Sequence, residues 1–359
     1  MVIIGRRLTC LAVAALSLLG ASPSGQPAPV PPCTFPAADV AWIQRALDGW
    51  EQVSREFLLT DPTPLPWIVL YDAQCVWHLN PESSVSGARV VDAALKFAGR
   101  DVPVRAATHA GTFVLPSGAP GEVEMKASTS LYRSGRAAFF AMAMPSVWRT
   151  RDVSAPTRAE YLQGVFSHEM THIRLLPSVN RRVKEIARLH DLPSPMNDDI
   201  VQLLFESVDG FASAVNRERD HFYRAVLEPA GDKRLRHARR GLELAQARRD
   251  RYFTGTNAAY AEIESLFLLL EGVGQWAAYR LSHARNGSEA QSLRLMRDDR
   301  RYWSQDEGLA LFILIDALLP GWQQRVFAAS PATPFELLEQ AVRVPGVPGV
   351  PRVPEVPGS

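Results

Sequence analysis

Cysteine is nearly absent from this chain, with three in 359 residues. That is too few for a disulfide-built scaffold, so the fold has to rest on a buried apolar core. A surplus of charge is also missing. Lysine and arginine number 39 against 38 aspartates and glutamates, which leaves no net field to draw nucleic acid or an anionic membrane. The apolar runs at 8–19 and 309–319 fall short of the ~20 residues a spanning helix needs, so no stable membrane span is expected. What is present is 47% hydrophobic and 21% charged residues, the balance of a globular protein with a sizeable core. Disorder of the whole chain is excluded.

The ends differ from the middle. Arg6 and Arg7 precede the apolar run at 8–19, and Gly20, Ala21 and Ser22 follow it. This is the pattern of a secretory signal over 1–21, and it implies a periplasmic or secreted protein. An uncleaved anchor is the rival reading, disfavoured by the short run and the Gly and Pro after it. Cys10 leaves with such a signal, so Cys33 and Cys75 remain, either paired in an oxidising compartment or as two buried thiols. Residues 22–36 form a Pro-rich linker, and 344–359 repeat Val-Pro-Gly-like triplets, a composition expected to be disordered or extended. The domain proper is 37–343.

Inside it, strand signals cluster early: 67–71 and 112–115 are β-rich, 122–127 alternates, and 137–144 is apolar before Pro145. From 157 onward the apolar period becomes helical. Strands first and helices later predict an α+β fold, a small sheet followed by a mainly helical half. The basic stretch 233–251 is expected to be the solvated face of a helix, and 309–319 a core helix.

His168-Glu169-Met170-Thr171-His172 is an H-E-x-x-H string, and its worth depends on lying in a helix. Thr157 and Glu160 suit a capping box after Pro156, and Pro177 is the expected stop. Positions four apart on a helix share a face, so both imidazoles can grip one ion. Glu169, turned aside, would serve as general base toward water. Two histidines are one ligand short of a catalytic zinc site.

Leu175 and Ser178 stand where a metzincin would have its glycine and third histidine, and Gly255-Thr256-Asn257-Ala258 has alanine where an aspartate ligand would be. Glu271 lies in an apolar helical segment, where an unpaired carboxylate costs several kcal/mol. The run Leu270-Glu271-Gly272-Val273-Gly274-Gln275-Trp276 resembles the E-G-x-x-x-[WY] helix of gluzincin metallopeptidases, the thermolysin-like group. The resemblance covers two short motifs, separated by 99 positions from His172 to Glu271. It implies a zincin-like fold divided at 177/178 into sheet plus active helix and helical half. It also implies one Zn2+ per chain on His168, His172 and Glu271, and a peptide or protein substrate. Residues 197–252 would be a helical insertion forming a substrate wall.

Some roles stay open at this level. Glu264, seven positions before Glu271, is the alternative ligand. Gln275 and Tyr279 are candidates to support a ligand or stabilise an oxyanion, with Tyr260 and His283 nearby. Residues 137–144 are either a substrate-pairing edge strand or an ordinary core strand. Asp198 and Asp199 either cap a helix or stand behind the site. The other five histidines form no pair with metal-ligand spacing. Two rivals share the same metal shell: an inactive zincin-like binding module and a zinc amidase of cell-wall material.

Overall fold

The apolar residues of the first helix, α1 (Ala37–Gln52), recur at helical spacing and bury Trp42, Ile43, Ala46, Leu47 and Trp50. A single π-helical turn, Val53–Phe57, closes it. The computed structural model describes residues 33–148, 155–193, 196–297 and 301–343. The expected signal, the linker up to Pro32, the C-terminal tail and the Thr157 side chain lie outside the described residues.

Ten short strands follow α1: β1 (Ile68–Tyr71), β2 (Cys75–Leu79), β3 (Arg89–Val91), β4 (Lys96–Phe97), β5 (Arg100–Asp101), β6 (Val104–Thr108), β7 (Thr112–Val114), β8 (Pro120–Glu122), β9 (Ala127–Leu131) and β10 (Ala138–Ala143). Six of them make one sheet in the order β3-β6-β2-β1-β10-β9, and β4-β5 and β7-β8 form two small ladders. Within the large sheet β1 and β10 run parallel and the other pairs are antiparallel. Every residue of β1 and β10 is buried, which is why both read as continuous apolar runs.

Two expectations are corrected here. Of the two readings of 137–144 the edge strand is excluded, because β10 lies between β1 and β9; the edges of the sheet are β9 and β3. The alternating stretch 122–127 is mostly a link, since β8 ends at Glu122 and β9 starts at Ala127.

Helices make up the rest of the described chain: α2 (Pro145–Trp148), α3 (Ala155–Leu189), α4 (Ile200–Phe205), α5 (Phe211–Leu227), α6 (Asp232–Tyr252), α7 (Tyr260–Asn286), α8 (Glu289–Met296), α9 (Trp303–Leu318), α10 (Gln323–Val326) and α11 (Pro334–Arg343). The fold is mixed α+β, and no strand follows β10 among the described residues. No described helix is long and apolar enough to cross a membrane.

The expected stop at Pro177 does not occur, for α3 runs 35 residues with Pro177 inside it. Proline removes one helical hydrogen bond, but Leu175, Val179, Val183 and Ile186 continue the buried stripe on both sides of it. Tertiary burial outweighs the local penalty.

Three pairings set α3 against α7. Glu160 accepts from Ser282 (2.6 Å) and Asn286 (2.9 Å), His168 lies on Gly274 and Glu271, and Arg182 meets Glu262 at 2.5 Å. The numbers rise on one helix as they fall on the other, so the two are antiparallel. Glu160 is thereby committed to α7. Helix α9 runs parallel to α7, with Gly272 against Gly308 and Arg280 against Asp316.

The basic stretch is not wholly solvated. Arg248 of α6 is buried between Glu218 and Glu264, an ion cluster that ties α5, α6 and α7 together. Cys33 and Cys75 are joined in a disulfide across 42 positions, which anchors the segment before α1 to β2.

Candidate metal centre

His168 and His172 lie one turn apart on the face of α3 that meets α7, and their ring centroids are 4.4 Å apart. The backbone of α7 makes room for them. A Cβ on Gly274 would stand 2.9–3.0 Å from the His168 ring, so the helix can come this close only where it carries no side chain. One turn back along α7, Glu271 reaches the same place. His168 Nε2 is 3.2 Å from Glu271 Oε2, and His172 Nε2 is 3.4 Å from Glu271 Oε1. His172 Nδ1 faces Glu169 Oε2 at 3.6 Å. His168, Glu169 and His172 offer ligand atoms within 4.8 Å of one another, a buried group that could hold a metal ion.

Burial governs the electrostatics of the group. Glu271 is 1% exposed, and burial pushes its carboxyl well above the ordinary range; His172 and Gln305 pull it down, while Asp198 and Glu169 raise it further. Burial also pushes His168 down, against Glu169 and Asp198, and so favours the neutral ring that binds metals. His172 Nε2 is buried without a hydrogen-bond partner. Burial raises Glu169 as well, but hydrogen bonding and charge from His172, the charge of His168 and the Thr129 hydroxyl outweigh it. The net shift is downward, toward the ionised form.

Two supporting residues were not visible in the sequence. Gln305, in the first turn of α9, donates from Nε2 to Glu271 Oε2 at 3.1 Å, and Gln275 Nε2 donates to Gln305 Oε1 at 3.1 Å. Gln275 therefore acts one step removed, by orienting the amide that holds Glu271. The close crossing of α9 on α7 makes this possible: a Cβ on Gly308 would be 2.6 Å from Gly272 Cα. Nothing local marks Gln305, although a glycine inside each of two apolar helices is a sign of close approach. The second is Thr129 of β9, whose hydroxyl lies 2.7 Å from the Glu169 carbonyl and 2.9 Å from its Oε2.

Other candidates fall elsewhere. Glu264 is bonded to Arg248 at 2.8 Å and Arg249 at 2.9 Å, so the alternative ligand is consumed by the ion cluster. Tyr279 stands eight residues beyond Glu271, about 12 Å along the helix. It stacks on His283 and interacts with Glu289, away from the centre. Tyr260 packs on Phe205.

The capping role for Asp199 is corrected. It occupies the N-cap of α4 without a side-chain hydrogen bond. Burial and the charge of Asp198 push it up to about 7, against Arg301. Among the remaining histidines, His221 and His237 do meet, Nδ1 to Nδ1 at 3.2 Å, a pair that needed the α5–α6 hairpin to form.

Comparison of the chain with protein-family models, curated proteins and solved structures returned no significant match.

Proposed function

We propose that this chain is an exported zinc-dependent hydrolase of gluzincin type with a zincin-like catalytic domain, acting on peptide bonds. One observation carries the reading: both Nε2 atoms of the histidine pair face the two oxygens of a single buried carboxylate, at 3.2 and 3.4 Å. Two ligands held ~2.0–2.1 Å from a tetrahedral zinc ion stand about 3.3 Å apart. Each histidine Nε2 stands at about that distance from a Glu271 oxygen, and the orphaned His172 Nε2 is free to join the same ion.

Zinc held there supplies a Lewis acid for a scissile carbonyl and lowers the pKa of water toward ~7. Glu169, oriented by Thr129, takes a proton from water and returns it to the leaving nitrogen. Gln305 and Gln275 keep the Glu271 carboxylate aimed. Strand β9 pairs only with β10 among the described strands, so an extended peptide can add along its free edge beside Glu169. Export agrees with the Cys33–Cys75 bond, which persists in an oxidising compartment.

The test is zinc per chain by elemental analysis, together with hydrolysis of a broad peptide library. The parent is expected to carry about one zinc. Glu271→Ala should lose most of it, Glu169→Gln should keep zinc and lose hydrolysis, and His172→Ala should lose both. Parental zinc in Glu271→Ala, or parental rates in Glu169→Gln, would overturn the assignment.

A further inference from the structure

A cavity of about 30 Å³ is walled by the start of α4 and by α5, α7 and α9, so that it shares α7 with Glu271 and α9 with Gln305. Its position is set by the same elements. Glu264 and Leu268 line it from α7, seven and three residues before Glu271 and so on nearly the same helix face. Ser304 lines it from α9, next to the Gln305 that holds Glu271. Asp198 lines it too, and the Asp198 charge reaches both His168 and Glu271.

The charge of the lining is one-sided: Asp198, Asp199, Glu264 and Glu307, with no lysine or arginine among the lining residues. Acidity alone would say little, since Glu264 is satisfied by Arg248 and Arg249. Glu307 is different. It is 2% exposed, and its Oε1 has no hydrogen-bond partner. The neighbouring guanidiniums pair with other carboxylates, Arg248 with Glu218 and Glu264, and Arg219 and Arg297 with Asp306, and Arg248 and Arg219 reach Glu307 through their charge alone. Burial pushes the Glu307 carboxyl well above the ordinary range, against the charges of Arg248 and Arg219, and a cation seated against the unpartnered oxygen would favour the ionised form. The remaining walls are apolar, with Val201, Val215, Phe267, Leu268 and Trp303. An aliphatic stem can lie against such walls while its charged tip reaches the acid, and Trp303 offers a ring to that tip.

We propose that this cavity is a subsite for a basic side chain of the substrate, lysine or arginine, with Glu307 as its principal anion and Asp198 as its second. The proposal rests on the hydrolase reading for the word substrate, and on the cavity alone for the binding of a cation. The volume, room for about two water-sized groups, fits an ammonium tip more readily than the larger guanidinium.

The test has two arms on the full chain. In the first, n-butylamine and n-butanol are titrated by calorimetry into chelator-treated protein, so that the amine has no metal to ligate. Saturable binding of the amine and none of the alcohol is expected, weakened at least about tenfold in Glu307→Gln and less in Asp198→Asn. Equal amine binding by parent and Glu307→Gln, with both folded by circular dichroism, would overturn the subsite, as would no binding to the parent. If Glu307→Gln fails to fold, Asp198→Asn decides by the same criterion.

In the second arm, zinc-loaded protein meets matched peptides bearing lysine, arginine or norleucine at one position. Preference in kcat/KM for the basic peptides, lost in Glu307→Gln while norleucine turnover persists, supports the subsite. Hydrolysis without that preference sinks the subsite and leaves the hydrolase. Amine binding that depends on Glu307, with no hydrolysis of any peptide, does the reverse.

Discussion

At the residue scale, Glu271 shows how one buried carboxylate organises its surroundings. Its Oε2 receives Gln305, its two oxygens face His168 and His172, and Gln275 holds Gln305 in turn. Partners of this kind typically tune metal affinity by 10–100-fold. Gln305→Leu is therefore expected to weaken zinc binding by about that factor with little loss of secondary structure, as read by competition with a chelator of known strength. Affinity equal to the parent would show that the amide is incidental. His78 makes a separate claim. Its Nδ1 accepts from Trp67 Nε1 at 3.1 Å, and burial pushes it down to about 4. The folded protein thus binds its proton later than the unfolded chain does, so the stability from neutral His78 is complete above the unfolded value near 6.5 and is lost as pH falls toward 4. Asp199, pushed up to about 7 by burial, gives the opposite slope, losing stability as pH rises from the ordinary carboxylate range toward 7. Subtracting the urea-unfolding profile of His78→Gln from that of the parent isolates the first effect. The difference is expected to change by about 1.4 kcal/mol per pH unit between pH 6.5 and 4, and a flat difference would refute it.

Among the elements, the α7–α9 crossing decides most. Gly308 lies against the backbone of α7, with Gly272 Cα, Gly272 N and the Leu268 carbonyl within 2.6–3.1 Å of a Cβ placed there. Backbone cannot swing aside as a side chain can. Gly308→Ala is expected to force the helices apart, destabilise by about 1–3 kcal/mol and weaken zinc binding by drawing Gln305 away from Glu271. Denaturant midpoints and zinc titration on the same preparation read both effects, and a stable variant with parental affinity would contradict the coupling. The elements also show where local signals mislead. The H-E-x-x-H helix was legible from its period, yet its end was not. Pro177 is a stop signal locally, and only the stripe through Val179, Val183 and Ile186 tells that α3 continues. β10 could not be placed as edge or interior from its composition, because full burial comes from neighbours on both sides. β2 and β6 do not stand out locally: β2 turns straight back on β1 with His78 inside its run, and β6 owes its place to β2 and β3 earlier in the chain.

For the whole molecule, the Cys33–Cys75 bond closes a loop of 42 positions ahead of and through α1. Loop entropy assigns such a closure about 3–4 kcal/mol. Cys75→Ser, or reduction of the parent, is expected to lower unfolding stability by about that amount while leaving zinc content unchanged, because the residues of the proposed metal centre lie on α3 and α7. Matched urea titrations with and without reductant check it, and a loss below about 1 kcal/mol would mean the core alone holds the N-terminal segment.

The sequence alone determined that the chain is α+β with its helical half after the strands, though α1 ahead of them went unread, that His168 and His172 share a helix face, and that Glu271 is a carboxylate in an apolar helical segment. Those are consequences of period and composition, which act over a few turns. Only the tertiary structure decided that Glu271 and not Glu264 faces the histidines, since that depends on Arg248 and Arg249 of α6 taking Glu264 first. It alone brought in Gln305, Thr129 and Glu307, because their roles arise where one helix crosses another or a strand edge meets a helix. Distances there are set by the packing of many residues and not by any local string.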